Sequence, residues 1–186
     1  MKYSKPVIAI QGQHNTHPQG TTALLRALPQ PADHQGWTSL VKSLVAMSDP
    51  TRAEIEVEVR YAETDQMGVV HHANYLVWFE LARTSLCSRS GYHYSDIEKL
   101  GYLLMVTGAE LNYRRSARYG DTVLVSCWID RLGSRGLNFA YEVVFDGQVL
   151  VTGKTRHVWV EVAKNRPCCI PEPLREPFER LAAGSG

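Results

Sequence analysis

The stretch YAETDQMGVVHHANY, residues 61–75, places a carboxylate, Asp65, ten residues ahead of Tyr75, where a helical pattern of apolar residues begins. The first turn of a helix carries amide hydrogens with no internal partner and roughly half a positive charge. Such a terminus polarises a carbonyl and stabilises the oxyanion that forms when the carbonyl is attacked. Gly68 lets the intervening loop fold back, so the Asp65 carboxylate could reach a carbonyl carbon held at the helix start. The plainer use of an aspartate here is to cap the helix or close a turn. Two adjacent histidines follow, but neighbouring helical residues diverge by about 100° and no cysteine or carboxylate spacing completes a metal site. His72 is read as a polar or proton-handling group and His71 as solvated.

The elements around this stretch follow from its flanks. Ile55, Val57, Val59 and Tyr61 alternate with Glu56, Glu58 and Arg60, the period of a half-buried strand ending at the motif. Tyr75, Leu76, Phe79, Ala82 and Leu86 then recur at helical spacing, with Asn74 as N-cap and Gly91 as stop. Trp78 and Cys87 lie on the other face, so the helix is expected to be buried nearly all round. LLMVTGAELNYRR, DTVLVSCWIDRLG, GLNFAYEVVFDG and QVLVTGKTRHVWVEVA read as four long strands. Asp146-Gly147 signals a type I′ hairpin and Gly133-Ser134 another reversal. A slip in the alternation between Val151 and Val158 suggests a bulge near Gly153. The plan is α+β, with a sheet wrapping the helix. Residues 1–50 form an irregular extension with one short helix in WTSLVKSLVAM, 51–170 the folded domain, and 171–186 a tail with a short helix.

Composition narrows the function. The 186 residues carry a net charge of +1 with 44% hydrophobic and 21% charged residues, so an extended nucleic-acid footprint is not expected. No run approaches the roughly 20 apolar residues of a membrane span, and the N-terminus has too short an apolar stretch for a secretory signal. Four cysteines without a zinc or redox spacing point to a reduced, cytoplasmic protein.

The longer stretch VRYAETDQMGVVHHANYLVWFELAR resembles the signature of hotdog-fold acyl-CoA thioesterases of the 4-hydroxybenzoyl-CoA thioesterase type, through Tyr61, Thr64-Asp65, Gly68, Val70, His72, Tyr75 and Glu80 to Arg83. The resemblance covers about residues 52–165. It implies a five-stranded antiparallel sheet around one long central helix, a homodimer or homotetramer, and hydrolysis of an acyl-CoA without metal or cofactor, coenzyme A being part of the substrate. It makes Asp65 the catalytic carboxylate, as nucleophile through an acyl-enzyme anhydride or as general base on water. His72 and Tyr61 become its polar companions. Gly68, Val70, Ala73 and Asn74 shape the substrate site, with backbone amides near His72 to Asn74 as oxyanion donors.

Glu80 is the rival acid, because some hotdog thioesterases use a carboxylate on the central helix; its plainer reading is an i,i+3 pair with Arg83. Arg114, Arg115 and Arg118, with Ser134 and Arg135, are candidates for the coenzyme A phosphates. The acyl group is expected to be short aliphatic or aromatic. Two other functions stay open: a hotdog hydratase or dehydratase using His72 and Asp65, and a non-catalytic acyl-CoA-binding module.

Overall fold

The computed structural model describes residues 49–183; the expected short helix at 37–47 and most of the N-terminal extension lie outside them. Strand β1, Arg52–Glu58, leads through a 3-10 turn at Tyr61–Glu63 to helix α1, Asn74–Ser88, and a short helix α2, Tyr94–Lys99. Four long strands follow: β2 (Tyr102–Tyr113), β3 (Thr122–Leu132), β4 (Gly136–Phe145) and β5 (Gln148–Glu161). A two-residue strand β6, Arg166–Pro167, and helix α3, Glu172–Ala182, are the last elements among the described residues. The pairing is antiparallel throughout, in the order β1-β3-β4-β5-β2, with β6 beside β5. Among the described residues this is an α+β architecture with a minimal sixth strand and two helices besides the long one.

The inner face of the sheet is set by β5, where Val151, Gly153, Thr155, His157 and Trp159 are all buried in strict alternation. The bulge expected near Gly153 of β5 falls three residues earlier, at Leu150, where Val143 pairs with Val151 and Val144 with Val149. Register shifts also fall at Val106/Gly108 and Ile129/Arg131. The alternation looked broken because three inward positions hold glycine, threonine and histidine rather than large apolar residues. Gly153 makes room for α1, since a Cβ there would lie 2.5 Å from Phe79 Cε2 and 2.7 Å from the Glu110 carbonyl. The Phe79 ring thereby stacks on Tyr141 at 4.2 Å. Asp146 and Gly147 both take positive φ, 48° and 69°, as the type I′ hairpin demands.

Helix α1 buries Tyr75, Trp78, Phe79, Ala82, Leu86 and Cys87, but Leu76, Val77 and Leu81 are 38–50% exposed. The expectation of burial all round is corrected: the sheet covers one face only. The Glu80–Arg83 pair does not form either. Glu80 is exposed, whereas Arg83 turns inward to place a guanidinium nitrogen 3.3 Å from His157 Nε2. Helix α3 contributes Leu174, Phe178 and Leu181 to the core, with Phe178 edge-on to Trp159 at 5.3 Å.

Two outcomes follow. Gly153→Ala should cost about 1–3 kcal/mol, read by urea denaturation, because Phe79 and the β2 backbone must both shift. A midpoint unchanged from wild type would contradict the packing. Burial, reinforced by the Arg83 charge, pushes His157 down from 6.5 to about 4. The unfolded chain therefore binds the proton more tightly, and stability present above pH 6.5 should fall as pH drops from about 6.5 to about 4. Thermal unfolding of His157→Gln should show a shallower fall through that window; an equal fall would contradict it.

Candidate functional site

The loop joining β1 to α1 is built on a buried carboxylate that the sequence did not single out. Glu63 is 4% exposed. Its Oε1 accepts from the Trp78 indole at 3.1 Å and from the Arg60 guanidinium at 2.8 Å, and its Oε2 from the Arg60 amide at 2.8 Å. Burial pushes the carboxyl up, but the Arg60 side chain, the Arg60 amide and Trp78 together outweigh it and hold Glu63 below the usual carboxylate range. The Glu63 carbonyl in turn accepts from Asn74 Nδ2 at 2.7 Å and from the His71 amide at 2.8 Å. Asn74 is thus the first helical residue rather than the N-cap, and its side chain ties the helix start back to the loop. The signal available in sequence was the Arg60–Glu63 spacing of a capping box.

From this anchor the chain makes a tight excursion that carries Asp65. Thr64 bridges to Val70, the Asp65 amide donates to the Val69 carbonyl at 2.9 Å, and the Gly68 amide donates to the Asp65 carbonyl at 2.9 Å. Gly68 closes the turn with φ 70°. Asp65 is half-buried, and its Oδ1 accepts from the Met67 amide at 2.8 Å. The turn is held from outside by Arg118, which donates to the Gly68 carbonyl at 3.3 Å. It is held from below by the Val70 amide, bonded to the Ala117 carbonyl at 2.9 Å, while the Tyr75 hydroxyl accepts from the Ala117 amide at 3.1 Å.

At the start of α1, three of the four amides from 71 to 74 have acceptors within the chain: His71 on Glu63, Ala73 on His71 Nδ1 at 3.3 Å, and Asn74 on the His71 carbonyl at 2.9 Å. Among the described residues the His72 amide has none. Tyr113 donates its hydroxyl to the His72 carbonyl at 3.1 Å, which holds the following peptide, between His72 and Ala73. The His72 imidazole is exposed and lies against His71, ring centres 4.1 Å apart.

The other candidates fall into two groups. Tyr61 is 78% exposed and packs edge-on to Tyr119 at 5.7 Å beside the Asp65 turn. Arg114 and Arg115 project from the end of β2, their amides both bonded to the Leu150 carbonyl. Ser134 and Arg135 sit at the β3–β4 reversal, where Arg135 accepts from the Trp159 amide. Trp159 is eight residues along β5 from Val151, the partner of Tyr113, so this reversal lies roughly 26 Å along the strand from the helix start. Within one chain these two residues and Asp65 are not brought together.

With this geometry in hand, similarity to known proteins is decisive: residues 59–178 match the thioesterase-like superfamily. The chain belongs to that superfamily. The match begins just after β1 and takes in the Asp65 turn, helix α1 and strands β2 to β5. A provisionally named acyl-CoA thioesterase of Bacillus subtilis is 40% identical over 113 residues, covering 60% of this chain and 82% of that protein. Among solved structures, a hypothetical protein from Thermus thermophilus is 39% identical with a TM-score of 0.67, covering 69% of this chain and 98% of its own. A DHNA-CoA thioesterase from Staphylococcus aureus is 33% identical with a TM-score of 0.65, covering 69% and 87%. The superfamily makes the chain a thioester hydrolase of hotdog type, as the motif from Val59 to Arg83 implied.

Removing the anchor should loosen the whole entrance. Glu63→Gln leaves one amide oxygen to accept three donors and should destabilise the protein by about 1–3 kcal/mol in urea denaturation. Trp78→Phe removes one of those donors, so its effect should be partly contained in that of Glu63→Gln. Strictly additive losses would show that the two residues do not share one interaction.

Proposed function

We propose that this protein is an acyl-CoA thioesterase in which the Asp65 carboxylate attacks at a carbonyl held against the start of α1. The observation that carries the reading is the turn at 64–70, pinned to the helix start through Glu63 and to the following loop through Arg118. With Oδ1 engaged by the Met67 amide, Oδ2 is the reacting oxygen. It adds to the thioester carbon and expels the thiolate, leaving an anhydride that water cleaves, or it takes the proton of the attacking water. The unpartnered His72 amide and the positive end of the helix receive the developing oxyanion. The His72 imidazole and the Tyr61 hydroxyl flank the entrance as hydrogen-bonding and proton-handling groups. Written this way, the reaction draws on no metal or cofactor.

Substrate contacts and assembly extend the proposal. Arg118, with Arg114 and Arg115, supplies positive charge beside the turn for the phosphates of coenzyme A. Helix α1 serves as the central helix of a hotdog domain. Strand β2 ends the sheet, with Met105, Val106 and Tyr113 each about half exposed. Its free edge is the natural place for a second copy to pair, giving a homodimer or a tetramer of such dimers. Pairing of this kind is also how Ser134 and Arg135 of another copy could approach the entrance. The four unpaired cysteines suit a cytoplasmic setting, and among the described residues no helix is long and apolar enough to cross a membrane.

Thiol release from short aliphatic and benzoyl-type acyl-CoA esters tests the reading and separates it from hydration or simple binding. Asp65→Asn should keep the unfolding profile while slowing release by about 100-fold or more. Turnover at the wild-type rate would reject Asp65 and make Glu80 the acid to replace.

A further inference from the structure

Residues 71–74, at the start of α1, are gripped by bonds from two other places in the chain. The Glu63 carbonyl accepts from the His71 amide at 2.8 Å and from Asn74 Nδ2 at 2.7 Å, which ties down both ends of the stretch. The middle is held by Tyr113, whose hydroxyl donates to the His72 carbonyl at 3.1 Å. Among the described residues, no other side chain from outside 71–88 bonds to the backbone of His72 or Ala73.

A peptide is a rigid plane with a carbonyl on one side and an amide hydrogen on the other, and His72 joins two such planes. The first carries the His71 carbonyl and the His72 amide hydrogen. Its carbonyl accepts from the Asn74 amide at 2.9 Å. The second carries the His72 carbonyl and the Ala73 amide hydrogen, which has only the 3.3 Å bond to His71 Nδ1. Without the Tyr113 hydroxyl the second plane is free to tip, and the His72 Cα and the plane before it move with it.

Tyr113 is itself well fixed. It pairs with Val151 in the sheet, and the next two amides, of Arg114 and Arg115, both donate to the Leu150 carbonyl. Its ring lies edge-on to Tyr75 with centroids 5.7 Å apart, and Tyr75 is buried with its own hydroxyl on the Ala117 amide. Half of the Tyr113 side chain faces solvent, so its hydroxyl is not needed to complete the core. Through this one phenol the sheet sets the backbone at the helix start.

We propose that Tyr113 is a positioning residue for thioester hydrolysis: by holding the peptide between His72 and Ala73, it aims the His72 amide hydrogen at the oxygen of the substrate carbonyl. This rests on the thioesterase reading above and adds to it a residue that acts through the backbone, touching neither Asp65 nor the reacting carbon. A preorganised donor favours the transition state over the bound ester, so loss of Tyr113 is felt in kcat rather than in KM.

Tyr113→Phe removes only the hydroxyl and keeps the ring against Tyr75. With the acyl-CoA ester that the native protein hydrolyses fastest, this variant should lower kcat about tenfold and leave KM within about twofold. A vibrational measurement separates aim from packing. Bound to Asp65→Asn, a carbon-13-labelled thioester carbonyl should absorb at lower frequency than in the free ester, because the His72 amide donates to it. Adding Tyr113→Phe should abolish at least half of that shift. A kcat for Tyr113→Phe within about twofold of native, a loss carried wholly by KM, or a carbonyl band that the added substitution does not move would overturn the assignment. A band unshifted already in Asp65→Asn would reject the His72 amide as donor and this proposal with it. A native protein that hydrolyses no acyl-CoA ester would instead sink the thioesterase reading itself.

Discussion

A charge taken out of water must find partners, and Glu63 finds them on both sides of one junction. Its carboxylate joins Arg60, at the end of the first strand, to Trp78 in the second turn of α1, while its carbonyl holds Asn74 and His71. Leaving such a carboxylate buried with a partner removed costs about 3–5 kcal/mol in comparable sites. That cost keeps the strand end, the turn and the helix start in one arrangement. The Asp65 turn follows directly from it, closed by its own bonds among Asp65, Met67, Gly68 and Val69 and held from outside by Arg118 and Ala117.

The sheet makes this arrangement possible by being uneven. Phe79 of α1 approaches β5 closely because Gly153 has no side chain, and the stack on Tyr141 fixes the helix over the middle of the sheet. One glycine thus sets how deep the helix sits against the sheet. At the edge of the sheet, Val106 and Ala109 of β2 remain exposed.

Much of this was legible before any coordinates. The alternation from Ile55 predicts a strand that is found, though it ends at Glu58 and leaves Tyr61 78% exposed in a 3-10 turn, and the pair Asp146-Gly147 predicts the hairpin that forms. The motif around Asp65 resembles a known family signature, and the superfamily match over residues 59–178 agrees with that resemblance. The errors share a cause. Inward polar residues on β5 mimic a break in period, and the i,i+3 spacing of Glu80 and Arg83 is overridden by the sheet, where His157 draws the guanidinium inward. Glu63 was overlooked for the same reason: its partner Trp78 is fifteen residues away, and only folding brings an indole N–H to a carboxylate.

The central claim is that the Asp65 turn and the start of α1 are held so that a carboxylate oxygen and an amide hydrogen converge on one carbonyl. The direct measurement is a crystal structure with a non-hydrolysable ketone analogue of an acyl-CoA. The account predicts Asp65 Oδ2 or one intervening water within about 3–3.5 Å of the ketone carbon, and the ketone oxygen at hydrogen-bond distance from the His72 amide. An analogue bound with its carbonyl turned away from the helix start, or with Asp65 directed into solvent, would contradict it.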